Sequence, residues 1–410
     1  MRLREIRRES KGGEVRLTAS VERASGETLD LWFAFPESAA ELVTADVDPF
    51  IPLLLPVCAF QGEPLEIDLP VSPRLLHSLP ELRAIYTQWF PAETKPFEIT
   101  ARASAEPRIP GSATAAFASL GVDSTYTMVK AQRDPRPYLP PLRHLIYMEG
   151  VETVLERQND TTDIATRLRE IAEARGLTLI TGRANFRSYF KLDWLRHYFG
   201  AGLSGVGLAL SHGLGAVLIP ASDGYSEGHG PLGSHPLLDP LYSTEATSIV
   251  HDGCEAARPW KIAYLVEHAP ELVGDLRVCL ENDGGPQNCG RCMKCVRTAL
   301  TIAVLGRLDL ARSLPRELPA DWEEILVDSC YSVGRVKTIA AVSEYAREVG
   351  ADAQLQAAID RTLARAKQRQ AWLARVQDWE SRSGLGWIRG ARTLRGDVRR
   401  LIRRRPPRGQ

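Results

Sequence analysis

The spacing of apolar and polar positions divides the chain into regions of different character. Residues 15–21 and 29–35 alternate apolar and polar side chains on either side of a Ser-Gly turn, which predicts a β-hairpin. Residues 73–89 place Leu75, Leu76, Leu79, Leu82 and Ile85 at helical spacing despite Pro80. Residues 97–101 read as another short strand, and 105–112, with two prolines and a glycine, as a linker. Beyond it, short apolar runs alternate with helical patterns. Strands are predicted at 113–119, 144–148, 177–181, 216–220 and 247–251. Helices are predicted at 125–132, 163–175, 189–199 and 207–214. This alternation predicts the α/β class: a mostly parallel sheet with helices on both faces, behind a strand-rich α+β N-terminal region. Residues 311–382 read as helical, with 340–349 and 353–376 rich in strong helix formers. The expected organisation is therefore 1–110, 113–310, 311–382 and a tail at 383–410.

Composition narrows the class of protein. The chain has 410 residues, 44% hydrophobic and 25% charged, which excludes wholesale disorder, collagen and a continuous coiled coil. Lys+Arg and Asp+Glu balance at 51 each, which argues against a surface devoted to nucleic acid. The balance hides an asymmetry. Residues 389–408 hold nine arginines and one aspartate, so this stretch carries +8 and the remainder −8. Such a tail is expected to be a solvating segment or a surface for RNA or an anionic partner. Arg389, Arg392, Arg399 and Arg403 lie near helical spacing among Trp387, Ile388, Leu394, Leu401 and Ile402, as in a basic surface-binding helix.

No run approaches the ~18–20 apolar residues of a membrane span, and the best, 49–60, is broken by prolines. The first 13 residues lack the apolar core of a secretory signal, so a reducing cytoplasm is the expected compartment. Oligomeric state is not legible.

Two motifs carry chemistry. Ser119-Leu120-Gly121-Val122-Asp123-Ser124-Thr125 joins a strand of small residues to a helix start. A strand, a tight loop and a helix N-terminus together bind phosphate, because unpaired backbone N–H groups and the helix dipole face the anion. Gly121 permits close approach, Ser119, Ser124 and Thr125 offer hydroxyls, and Asp123 suits Mg²⁺ or bracing of the loop. The alternative is a capped helix following a strand. The Gly-Lys-Ser/Thr of a Walker loop is missing. The second motif gathers four of the seven cysteines, Cys279, Cys289, Cys292 and Cys295, within 17 residues. Four thiolates at these spacings can close a tetrahedron around structural zinc; an iron–sulfur cluster is the alternative. Cys58, Cys254 and Cys330 are scattered and expected to be buried thiols.

The phosphate loop resembles the PP-loop of N-type ATP pyrophosphatases, Ser-Gly-Gly-x-Asp-Ser, through Ser119, Gly121, Asp123 and Ser124; Leu120 replaces the first glycine. With the cysteines, the stretch from about Phe117 to Arg297 resembles the 7-cyano-7-deazaguanine synthase family. Residues 217–223, the 233–239 segment and Arg258-Pro-Trp-Lys261 resemble its later motifs, although the family's substrate-reading residues are not evident in 233–239. The resemblance implies ATP and Mg²⁺ as cofactors and a small-molecule carboxylate as substrate. The carboxylate is adenylated with release of pyrophosphate, and a nucleophile, expected to be nitrogen, then displaces AMP. It assigns catalysis to Asp123, Ser124, Lys261 and Asp223, and nucleotide contacts to Ser119, Leu120, Gly121, Val122, Asp123, Ser124, Thr125, Met148 and Gly182. The N-terminal region and the helical C-terminus fall outside it, so the deazapurine substrate is not implied. Alternatives within the superfamily are a tRNA-thiolating enzyme needing a cysteine such as Cys254, and a cell-wall precursor epimerase driven by adenylation. A non-catalytic nucleotide-binding protein is a third.

Smaller signals remain. His212, His229, His235 and His251 cluster in sequence, with His229 and His235 the better candidates for function because both fall in the glycine-rich loop. Four glycines at 224, 228, 230 and 233 predict that this is a mobile loop or lid. Lys191, Asp193 and Arg196 are expected on a solvated helix face.

Overall fold

The computed structural model describes residues 1–106, 108–151, 162–228, 230–279, 281 and 288–383. The basic tail and His229 lie outside the described residues. The chain divides into two compact units, Met1–Leu318 and Pro319–Gln410.

Unit one is an α/β structure on a single ten-stranded sheet in the order β10-β9-β6-β7-β8-β3-β2-β1-β4-β5. Its N-terminal strands are β1 (Arg2–Lys11), β2 (Glu14–Glu22), β3 (Thr28–Pro36), β4 (Leu65–Val71) and β5 (Ile99–Ala103). The others are β6 (Ala113–Phe117), β7 (Leu142–Glu149), β8 (Thr178–Ala184), β9 (Leu214–Pro220) and β10 (Ser248–Asp252). β6 to β10 pair in parallel throughout. The antiparallel pairing of Phe33 and Ala34 in β3 with Ala184 and Arg183 in β8 joins the N-terminal strands to them. Residue 110 therefore marks no break in the sheet, which continues from one set of strands into the other.

The two faces follow from alternation along each strand. Ala115, Phe117, Val217 and Ile219 face one core with the helices Ile51–Gln61, Pro73–Trp89 and Phe199–Ala209. Ala116, Ala118 and Leu218 face a second core with the helices Val122–Arg133, Thr162–Ala174, Arg258–His268 and Met293–Val304. Because β6 to β8 are overlaid on both faces, their sequence reads as short unbroken apolar runs.

The predicted hairpin is β2 and β3, and the five later strands all form. Two predicted helices are corrected. The 189–199 segment is not one helix: a short turn at Phe186–Tyr189 ends, and a five-residue turn at Trp194–Tyr198 follows. Asp193 restarts the chain there by accepting from the Arg196 N–H at 2.8 Å. The helix expected at 207–214 instead spans Phe199–Ala209. Each of its residues from Gly200 to Ala209 is buried, so it has no polar face to reveal its register.

Unit two contains the helices Trp322–Ser329, Val333–Glu348 and Ala353–Ser383. Ser343 donates to Asp360 at 2.6 Å, and Thr362 to Glu323 at 3.2 Å, tying the last helix to the first two. Among the described residues, no helix is long and apolar enough to cross a membrane.

Candidate active site and four-cysteine centre

In chain order, β6 is followed by β7 and β8 on one side, and β9 and β10 then lie on the other. The strand order reverses between β6 and β9, and such a reversal opens a ligand crevice at the carboxyl ends of the strands. The segment from Ser119 to Gly121 leaves β6 at this point, and Ala221 to Asp223 leaves β9.

The loop after β6 has an unusual backbone. Leu120 has φ = 58°, and it alone among the described non-glycine residues has a positive φ. A side chain in this left-handed region costs roughly 1–2 kcal/mol, so surrounding contacts must hold it. The Arg277 N–H donates to the Leu120 carbonyl at 2.7 Å. Ser124 Oγ receives the Ser119 N–H at 3.3 Å and donates to the Gly121 carbonyl at 3.1 Å. Leu120 thus takes the backbone geometry that glycine adopts freely. Gly121 is the N-cap of the helix, and the first intrahelical bond is from Thr125 N–H to Gly121. The N–H groups of Val122, Asp123 and Ser124 precede the helical ladder and point out of its positive end.

Two cations converge on Asp123. Arg258 pairs with its Oδ2, and Lys261 Nζ lies 3.6 Å from its Oδ1. Lys261 is fully buried and donates to the Ala221 carbonyl at 2.6 Å. Arg258 opens its helix and Lys261 sits one turn later, so both face the loop from the same helix start. A buried ammonium persists only when paired, and here Asp123 and the Ala221 carbonyl share that role. The Asp123 Oδ1 atom is buried and makes no hydrogen bond.

Asp223 is half-buried two residues after Ala221. Near it, Glu227 accepts from the Gly224 N–H at 2.7 Å. Burial, aided by the charge of Asp223, raises the Glu227 carboxyl above its ordinary range despite that N–H, Arg297 and Arg258. Sequence reasoning missed Glu227, Arg258 as an ion-pair partner and Arg297; only the fold brings them beside the loop. Met148 and Gly182 stand opposite each other in the β7–β8 ladder, near the carboxyl ends of the two strands. A Cβ on Gly182 would lie 2.6 Å from Met148 Sδ and 2.8 Å from the Phe35 ring. The space beside Gly182 is therefore filled by packing across to β3.

The glycine-rich loop is pinned at several points. A Cβ on Gly224 would lie 2.8 Å from the Ala257 nitrogen, and one on Gly233 would lie 2.4 Å from the Tyr198 nitrogen. These two glycines admit close backbone approach, whereas a Cβ on Gly230 would meet nothing within 4 Å. His235 is also placed structurally. It is buried against Trp89 with a 4.8 Å centroid separation, and its Nδ1 accepts from the Leu237 N–H.

His251 occupies a more chemical setting. Asp239, fully buried, meets His251 Nδ1 at 2.7 Å and receives Ser234 Oγ at 2.6 Å. Burial opposes the imidazolium, but bonds to Asp239 and Cys254 outweigh it and push His251 up to about 9. The sign of the pH dependence follows. The stabilisation is complete below the ordinary histidine range near 6.5 and is lost as pH rises through about 9. Urea unfolding at pH 6.5 and 9.5 is expected to show a loss on the order of 2–3 kcal/mol from this group. His251→Gln should lack that part of the loss; an identical pH profile in the variant would refute the assignment.

The four cysteines come together. Their Sγ atoms all lie within 4.8 Å of one another, with Cys292–Cys295 at 3.4 Å, Cys279–Cys292 at 3.9 Å and Cys289–Cys295 at 4.0 Å. A tetrahedral ion with bonds of ~2.3 Å needs sulfurs about 3.8 Å apart, so the set can close around a metal. Backbone N–H groups of Glu281, Cys289 and Cys292 point at the sulfurs. Hydrogen bonding to Cys292 and burial push the Cys295 thiol up, as expected where thiolates crowd without a cation. Cys58, Cys254 and Cys330 are buried and separate. Comparison with protein-family models, curated proteins and solved structures finds no match to this chain.

Proposed function

We propose that the protein is an ATP-dependent enzyme that adenylates a small-molecule carboxylate and passes the acyl group to a nitrogen nucleophile. The observation that carries this reading is the loop at the strand-order reversal. There Leu120 is held left-handed, three helix N-terminal N–H groups lie ahead of the ladder, and Arg258 and Lys261 face them. This arrangement suits a polyphosphate whose charge must be neutralised as it leaves.

In the first step a substrate carboxylate oxygen attacks the α-phosphorus of ATP. The bond from that phosphorus to the bridging oxygen breaks, and pyrophosphate leaves. The loop N–H groups, Ser119 and Ser124 would hold the β- and γ-phosphates, with Lys261 and Arg258 countering the charge that develops. Asp123 would orient these cations and hold Mg²⁺, which supplies further charge neutralisation. In the second step an amine attacks the acyl carbon, the acyl–oxygen bond breaks and AMP departs. Asp223, with Glu227 beside it, would accept the amine proton. The four cysteines would hold a structural zinc, with all four positions supplied by protein. Adenine contacts from Met148 and Gly182 would use backbone groups at the ends of β7 and β8.

Screening carboxylic acids with ATP, Mg²⁺ and an amine donor tests this reading by release of pyrophosphate. Asp123→Ala should abolish it. Turnover that survives Asp123→Ala, or ATP that fails to bind at millimolar concentration, would overturn the reading.

One observation favours a second reading, the sulfur-transfer alternative. Cys254 lies beside His251, whose Nδ1 is fixed by Asp239, as a thiol activated by a histidine would require. On the adenylation–amination reading, Cys254→Ala leaves pyrophosphate release within about threefold of wild type, since no covalent step uses the thiol. Loss of the second half-reaction alone, with adenylation intact, would establish sulfur transfer instead.

A further inference from the structure

We propose that the four-cysteine centre sets the geometry of the phosphate loop, and that Asn288 is the positioning residue connecting them. The path between the two sites is short and is made of hydrogen bonds and one- or two-residue stretches of backbone. Asn288 directly precedes the ligand Cys289. Its Oδ1 accepts the N–H groups of Val278 at 2.9 Å and Cys279 at 3.1 Å. Its Nδ2 donates to the Leu276 carbonyl at 2.7 Å, the Ser313 carbonyl at 3.0 Å and Ser313 Oγ at 3.2 Å. One half-buried side chain therefore fixes the segment from Leu276 to Cys279 from both ends. Within that segment, Arg277 gives its N–H to the carbonyl of Leu120 at 2.7 Å. The Arg277 carbonyl also lies over Gly121, 3.9 Å from where a Cβ would stand.

The peptide of Leu120 needs such an anchor. A leucine at φ = 58° reverts to the favoured region unless its neighbours over-determine it. Ser124 braces the loop from inside, and Arg277 is its brace from outside. Cys279 is only two residues beyond Arg277, and the opposite strap of the centre, Cys289, is one residue beyond Asn288. Metal binding draws these two stretches together. Losing the metal releases the Asn288 clamp, then the 276–279 segment, then the left-handed turn. A glycine at 120 would enter the left-handed region without the steric cost a leucine bears there, so the leucine ties this loop to the state of the cysteine centre. The consequence for nucleotide binding rests on the function proposed above; the structural coupling does not.

Hydrogen exchange on the metal-loaded full-length protein tests the coupling, with ATP binding as a second readout. Chelating the metal should raise exchange of the 118–122 and 276–279 backbone at least tenfold with the far-ultraviolet circular dichroism retained. Asn288→Ala should do the same while keeping one metal per chain, and should weaken ATP binding at least tenfold. Adding Leu120→Gly to Asn288→Ala should recover most of the ATP affinity. A merely structural asparagine would not be rescued at a residue it does not touch. Should Asn288→Ala fail to fold, Ser313→Ala removes one hydroxyl from the same clamp and should raise exchange about threefold. Unchanged exchange at 118–122 after metal removal and in the clamp variant would overturn the coupling. If wild-type protein binds no ATP, the proposed function falls, and the exchange result still decides the coupling.

Discussion

Lys261→Met is expected to slow pyrophosphate release by roughly 10²–10³-fold, the loss seen when a preorganised charge-stabilising donor is removed from an enclosed site. Lys261 is fully buried, its ammonium bonds the Ala221 carbonyl, and it stands 3.6 Å from Asp123. Methionine fills the same volume but leaves the carbonyl without its donor and Asp123 with Arg258 alone. Truncating one partner of a buried pair costs about 3–5 kcal/mol where no other partner remains. Arg258 should hold the loss below that range, so the variant remains folded by thermal melting and the rate comparison is meaningful. Lys261→Arg is not a rescue, because a planar guanidinium does not fit a site built around a compact ammonium. Wild-type turnover in Lys261→Met would remove the lysine from the chemistry.

Cys295→Ser should have the largest effect on stability. Cys295 is fully buried, with Cys292 at 3.4 Å and Cys289 at 4.0 Å. Serine offers a poor ligand, and the loss of metal is a loss of folding free energy, because the site exists only in the folded chain. Metal content should fall from one per chain to below about one tenth, with a loss of several kcal/mol in stability. Cys58→Ser and Cys330→Ser are the contrast. Each buries a hydroxyl in place of a thiol and should cost about 1–3 kcal/mol, with metal content unchanged. Elemental analysis and thermal melts of the three variants separate the ligand from the bystanders. Full metal occupancy in Cys295→Ser would refute the four-cysteine centre.

Much of the central sheet was legible because β6 to β10 are short apolar runs divided by turns and helices, a pattern that survives without context. β1 was not legible. Its ten residues, Arg2–Lys11, include seven charged side chains and only one buried residue, so alternation is lost. Residues 51–61 form a helix that is buried on nearly every side and contains Pro52 and Pro56, so they read as a broken apolar run. Glycines misled in the same way. In Phe199–Ala209 they admit Pro49, Leu53 and Val217 against the backbone, although glycine is otherwise unfavourable in a helix.

The candidate site was legible where chemistry and chain order coincide. Ser119 to Thr125 and the four cysteines could be read from spacing alone, whereas Lys261 was suggested only by the family resemblance of the segment around it. The fold adds what is distant in sequence: Arg258 on Asp123, Glu227 beside Asp223, and Arg277 on Leu120. His251 ranked below His235 because its partner Asp239 is twelve residues away in a loop, while His235, in that loop, proves to be packed on Trp89. The substitution of leucine at 120 looked like a departure from a phosphate loop. In the structure it is a leucine held in the left-handed backbone geometry that glycine adopts freely.

The most direct test of the central claim is the identity of the products formed from ATP. Phosphorus-31 NMR of the protein with ATP, Mg²⁺, a pool of carboxylic acids and an amine donor reads them in one experiment. The account predicts AMP and pyrophosphate in equal amounts, dependent on an acid in the pool and absent in Asp123→Ala. ADP and inorganic phosphate, or ATP resonances that neither decline nor broaden when protein is added, would contradict it.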